Sequence, residues 1–117
     1  MNTPLALEDL LAEFNNEKMA WVIRDSKSGL YLVVPDDRFP GRKPIRFFLS
    51  EANAMQFASA VLEASTSAGD WDLKAEQVKL IPSLHSIASS SRKDYADSFV
   101  VHGPNEVFHF MMDRLLI

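Results

Sequence analysis

Apolar side chains between residues 43 and 64 follow two different periods in succession. Ile45, Phe47 and Leu49 alternate with Arg46 and Phe48, as a strand buried on one face requires. Ser50 then stands in an N-cap position, where its hydroxyl can accept from the free amides of a first helical turn. After it, Ala54, Phe57, Ala58, Val61 and Leu62 fall on one helical face. The pattern predicts a strand that runs directly into an amphipathic helix over residues 51–64.

Other segments read in the same way. Leu7, Leu10, Leu11 and Phe14 recur at helical spacing and predict a first helix with one apolar face, begun by Thr3-Pro4 with proline at the first helical position. Residues 19–24 and 30–34 read as the two strands of a hairpin around Asp25-Ser26-Lys27-Ser28-Gly29. Pro35 ends the second strand, and residues 36–43 form a loop containing Pro40-Gly41. A polar connection over residues 65–72 leads to a fourth strand at 77–81, where Val78 and Leu80 alternate with Lys79. Pro82-Ser83 then begins a short helix through Leu84, Ile87 and Ala88, and the polar run at 89–94 reads as a surface loop. Residues 98–102 form a fifth strand closed by Gly103-Pro104, and the tail reads as a brief strand followed by a closing helix.

Together these elements predict one α+β domain over residues 1–117, with a single mixed or antiparallel sheet of about five strands and helices packed mainly on one face. If the helices cover Trp21, Ile23, Leu32, Phe47 and Leu49, then Val22, Tyr31, Val33 and Phe48 lie on the other face. That second face is too apolar for bare solvent, so it requires the closing helix, a second copy of the chain or another protein to cover it.

A chain of 117 residues suits one core, and its 47% hydrophobic and 24% charged content excludes the disordered and fibrous classes. The net charge of −4 argues against non-specific wrapping of nucleic acid. No apolar run approaches the roughly 20 residues of a membrane span. Glu8 and Asp9 interrupt the start before a secretory core could form, so a cytoplasmic location is expected. The absence of cysteine excludes disulfides, thiolate nucleophiles and cysteine-based zinc sites.

The strand-to-helix step Lys43-Pro44-Ile45-Arg46-Phe47-Phe48-Leu49-Ser50-Glu51 and the closing Ala96-Asp97-Ser98-Phe99-Val100-Val101-His102-Gly103-Pro104 resemble the SseB amino-terminal-domain family. The likeness spans nearly the whole chain, with His102-Gly103-Pro104 in place of that family's Asn-Pro turn. It implies a small α+β binding or adaptor module and transfers no active-site residue. Trp21-Val22-Ile23-Arg24-Asp25 is more weakly similar to another family of small bacterial domains.

Motifs for catalysis are sparse. Gly29, Gly41, Gly69 and Gly103 are too scattered for a Walker loop or a dinucleotide fingerprint, and no cofactor is expected. His85, His102 and His109 lack a histidine partner at helical spacing; His109 with Asp113 would give two ligands, which do not close a metal site. Ser83 and Ser86 flank His85 without a nucleophile elbow. Glu51, Glu63, Asp70 and Asp72 read as solvated carboxylates, so no catalytic residue is assigned.

Two features stand above this background. Residues 38–46 hold four of the twelve Lys and Arg, interleaved with aromatics. Such a loop either grips an acidic partner or forms a solvated turn whose cations balance Asp36 and Asp37. Trp71, in an otherwise polar stretch, either pins its loop to the core or anchors a partner. Arg38, Arg42, Lys43, Arg46, Phe48 and Trp71 are therefore the candidate partner-binding residues. The expected function is a small protein-interaction module, an adaptor or immunity-type inhibitor, engaging another protein or a second copy of itself. The alternatives are an enzyme with a carboxylate and histidine site, and an anion or nucleic-acid binder acting through the basic loop.

Overall fold

A computed structural model describes residues 4–64, 71–90 and 95–116. The chain follows the order β1 (Pro4–Leu5), α1 (Leu7–Glu13), β2 (Met19–Asp25), β3 (Pro44–Phe48), α2 (Glu51–Ala64), β4 (Leu73–Lys79), α3 (Leu80–Ser90), β5 (Ser98–His102) and β6 (Val107–Met111), then a 3-10 turn at Met112–Leu115. Five strands of five to seven residues and the two-residue β1 form one sheet in the order β1-β6-β5-β3-β2-β4. β3 runs parallel to β5 and β1 parallel to β6, while the other neighbours are antiparallel. The α+β class with a mixed sheet is thus the observed one.

Register decides which side chains share a face. Trp21 lies opposite Phe48 and Val22 opposite Phe47, and such cross-strand partners point the same way. One core therefore joins Val22, Ile45, Phe47, Phe99 and Phe108 to Leu7 and Leu10 of α1 and to Leu80, Leu84 and Ile87 of α3. The other gathers Trp21, Ile23, Leu32 and Phe48 under Ala54 and Ala58 of α2. This corrects the expected grouping, which placed Trp21, Ile23 and Leu32 with Phe47 and Leu49. The second apolar face is covered by α2 itself, whose alanines let the helix approach the sheet closely, while α1 and α3 share the first face.

Ser50 behaves as its position predicts: its Oγ accepts from the Asn53 amide at 3.4 Å, and its carbonyl accepts from Ala54 at 3.2 Å. Other boundaries move. Pro4 and Leu5 form β1 instead of opening the first helix, which begins after Ala6, whose N–H donates to the Asp9 carboxylate. β4 starts at Leu73 and ends at Lys79, so Leu80 opens α3 and Pro82 stands in that helix's first turn, where its missing N–H has no partner to lose. The expected fourth strand at 77–81 overlaps only the end of β4. Strand β5 falls at 98–102 and the tail begins with a strand, both as the sequence indicates, while a four-residue 3-10 turn stands where a closing helix was expected. The Thr3 part of the helix start and the polar connections at 65–70 and 91–94 lie outside the described residues.

The hairpin forms only in part. Gly29 takes φ +78° in its turn, and Asp25 N–H donates to the Leu30 carbonyl. Its return arm makes isolated bridges, Tyr31 with Arg24 and Val33 with Ile45. β2 and β3 pair directly only at two positions, so the 30–34 segment occupies the opening where they diverge, touching β2 at one end and β3 at the other.

Leu10 is fully buried and Leu11 is 43% exposed, although sequence spacing gave both to one face. Leu10→Ala is expected to cost about 2–5 kcal/mol. Leu11→Ala should stay within about 1 kcal/mol of the parent. Denaturant midpoints of the two variants test the docking of α1, and equal midpoints would refute it.

Candidate functional site

Strand β3 lies in the middle of the sheet with all five residues buried, including Arg46. A guanidinium in that position must find partners that replace water. Arg46 Nη1 donates to Asp36 Oδ2 at 3.0 Å and to His102 Nε2 at 3.2 Å, and Nη2 donates to the Val34 and Pro35 carbonyls at 3.1 and 3.4 Å. The guanidinium lies over the Phe57 ring, with Cζ 4.9 Å from the centroid. Asp36 also accepts from Arg38 Nε and Nη2 and from the Arg38 amide.

These contacts fix the charge states. The Arg38 bonds, with those of Arg46 behind them, hold the Asp36 carboxyl far below the usual carboxylate range. Burial, then the Arg46 and Arg38 charges, push His102 down to about 4. His102 is therefore neutral near pH 7, accepts from Arg46 through Nε2, and stacks on Phe48 at 4.7 Å between centroids. A general base works best with a pKa near the working pH. This cluster is instead arranged to brace.

The bracing reaches further along the loop. From Asp36 the chain turns through Gly41, at φ +77°, and brings Phe39 over Val100 and Val107. Phe39 stacks on His109 at 4.0 Å, and burial, then the Arg42 charge, lower the His109 pKa. Asp97 accepts from the Lys43 amide at 2.7 Å and lies 4.0 Å from Arg42, closing the loop against the start of β5.

The candidate residues named from sequence do not form one surface. Arg46 is 6% exposed and Phe48 4% exposed, so neither can meet a partner directly. Phe48 was expected to point outward, but α2 covers it. The side chains of Arg38 and Arg42 are 43% and 48% exposed, Lys43 is exposed, and Trp71 is half-buried. Sequence reasoning named Asp36 as a balance for the loop's cations but set it in a solvated turn, and it missed His102; an arginine inside an apolar strand signals that the counter-charge is buried.

It also missed the 30–35 segment as a surface. Two depressions of about 310 and 490 Å³ flank it and share Leu32, Val33 and Trp71 in their walls. Leu30 is 56% exposed, and residues 31–34 are each half-buried. A third depression of about 370 Å³ lies between Phe48, Phe57 and His102. Among the described residues no group of three or more His, Asp or Glu could hold a metal ion. No helix there is long and apolar enough to cross a membrane.

No family model and no curated protein matches the chain. Among solved structures it is similar to Anabaena Tic22, described as a protein of protein transport, with a TM-score of 0.50 and 16% identity. The match covers 81% of this chain and 46% of that one, so the chain spans less than half the length of that structure. At this identity the likeness concerns the fold alone.

Two predictions concern the brace. Asp36→Asn strips Arg46 of its buried counter-charge and should cost about 3–5 kcal/mol, whereas Asp36→Asn combined with Arg46→Met should cost clearly less than the sum of the single changes. A double-mutant cycle in denaturant measures this, and simple additivity would contradict the pairing. The second concerns pH: between 6.5 and about 4 the unfolded chain protonates His102 while the folded chain does not, so stability falls as pH falls through that window. The loss should be on the order of 2 kcal/mol after allowing for the part of the ring still near solvent. Below pH 3.8 Asp36 extends it in the same direction, because its folded pKa is also depressed. His102→Gln keeps an acceptor for Arg46 and should flatten most of the slope above pH 4, with His109 supplying the remainder. An unchanged slope in unfolding midpoints across pH would count against His102.

Proposed function

We propose that this chain is a protein-binding module that receives an extended apolar segment of another protein along residues 30–35 and Trp71. The carrying observation is the half-buried apolar run, led by the exposed Leu30, between two depressions that share Leu32, Val33 and Trp71. An extended segment suits it because the run is itself extended and, among the described residues, forms only two isolated strand bridges. Trp71 serves as the anchor: a large half-buried ring on an apolar wall suits a binding hot spot.

Arg38 lies three residues beyond Pro35, with Arg42 and Lys43 on the same loop. These cations favour a partner with acidic residues beside its apolar segment, and they act mainly on the rate of association. Resemblance to the SseB amino-terminal family supports the same class of function, an adaptor or inhibitor. The words "protein transport" attached to the Tic22 structure are compatible with a module that holds polypeptide segments. A chain without cysteine suits a reducing compartment, and we place the protein in the cytoplasm.

Selection of binders from a library of random extended peptides tests the reading. Selected peptides should be apolar with flanking acids, and Trp71→Ala or Leu30→Asp should weaken them by roughly 30-fold, the equivalent of a 2 kcal/mol hot spot. Both variants should keep the parent's unfolding midpoint to within about 1 kcal/mol. Binders indifferent to both substitutions would refute the site.

A further inference from the structure

At the β4 edge of the sheet, we infer that the strand pairs antiparallel with β4 of a second copy, about a two-fold axis through Ala75. Among the described residues β4 pairs with β2 alone, from Met19 opposite Lys79 to Asp25 opposite Leu73. The phase of that ladder follows from its ends. Ser26 N–H donates to the Asp72 carbonyl and Leu80 N–H to the Lys18 carbonyl, so Asp72, Lys74, Glu76, Val78 and Leu80 turn their main-chain groups toward β2. Leu73, Ala75, Gln77 and Lys79 turn theirs outward, away from the sheet. An antiparallel strand can add there without disturbing any β2–β4 bond.

Side-chain charge selects the occupant and the register. Lys74, Ala75 and Glu76 place a cation and an anion on either side of a small residue. With the axis on Ala75, Lys74 of each copy lies opposite Glu76 of the other, in non-hydrogen-bonded positions where side chains are closest. Gln77 then faces Leu73. An axis on Lys74 would oppose two lysines and bring Glu76 against Asp72, and one on Glu76 would oppose two glutamates. An axis on Leu73 leaves almost no shared ladder, and one on Gln77 pairs as many β4 residues as the Ala75 axis but sets Glu76 opposite Val78 and Lys74 opposite Leu80, with no unlike-charge pair.

Charges within the subunit leave room for this pairing. Arg24 stands directly across from Lys74 on β2, so two cations adjoin on one face. Glu76 reaches Arg24 at 3.6 Å and Asp72 reaches Lys74 at 3.9 Å, with the Lys74 side chain 68% exposed. A second Glu76, from the partner copy, would meet the cationic end of this cluster. Lysine on an edge strand ordinarily deters pairing. Here the same lysine is neutralised in one register of one partner, a copy of itself.

Sedimentation equilibrium of the full chain tests the dimer, independently of any peptide binding at residues 30–35. The parent should show a reversible monomer–dimer equilibrium that weakens as salt rises. Lys74→Glu and Glu76→Lys each place like charges opposite one another and should weaken self-association by roughly tenfold or more. An equimolar mixture of these two variants restores both unlike pairs and should form a heterodimer. Ala75→Pro removes an outward N–H at the axis, spares the β2 ladder, and should abolish the dimer while circular dichroism stays that of the parent. A parent that stays monomeric at every concentration overturns the inference and leaves the edge to a strand from another protein. A dimer that survives both charge reversals, or variants that fail to recombine while remaining folded, overturns it as well.

Discussion

The buried guanidinium of Arg46 is the constraint around which one side of this molecule is organised. Strand β3 lies between β2 and β5 and is covered on both faces, so every side chain it carries must be compatible with an interior. Four of its five residues meet that condition by being apolar. Arg46 meets it only because Asp36, His102 and two carbonyls supply acceptors to both its Nη groups. Removing two charges from water costs several kcal/mol per ion, which a single ion pair seldom recovers. The pair is therefore better understood as a device that specifies geometry than as a source of net stability.

The geometry it specifies is the path of the 34–43 loop. Arg46 holds the loop at Val34, Pro35 and Asp36, which orients the next turn so that Phe39 covers Val100 and Val107. α2 covers the β2, β3 and β4 side of the same face, and its own half-buried Phe57 packs on both Phe48 and the guanidinium. Helix and loop thus meet at one charged residue. The loop's fixed start at Val34 and Pro35 also holds the preceding apolar residues at the surface, in the opening between β2 and β3. The half-buried strip is thus held at its end by Arg46 and along its length by the bridges to Arg24 and Ile45.

Local signals were legible where they were strong and unopposed. Ser50 and the 3.6-residue face after it gave α2, and the compact run Ser98-Phe99-Val100-Val101-His102 gave β5. β4 was misplaced because an edge strand need not alternate cleanly: its exposed Lys74, Glu76 and Gln77 carry no burial signal, and the stronger pattern at Val78 and Leu80 drew the reading onto the strand–helix junction. Pro82 compounded the shift, since a proline is acceptable anywhere in a first helical turn. Face assignments failed for a different reason. Period two separates Trp21 from Val22 but cannot say that Trp21 pairs with Phe48, which is a property of register. For the same reason Arg46 and Phe48 were read as partner-binding: alternation on β3 put Phe48 on a face left to the closing helix, a second copy or a partner, and nothing local revealed that α2 and the loop return to cover it.

The two ends of the sheet then differ in a way that bears on association. At one end, among the described residues, β1 contributes two residues and α1 follows after Ala6. At the other end β4 offers seven residues, half-buried at Leu73, Ala75 and Val78 and exposed at Lys74, Glu76, Gln77 and Lys79. Unrestricted edge pairing would propagate if both ends were available. A two-fold pairing uses the β4 edge of both copies, so growth at that edge stops after a single addition. The charges that decide which register is tolerated also decide which strand is accepted there, so solubility and selectivity at this edge come from the same two residues, Lys74 and Glu76.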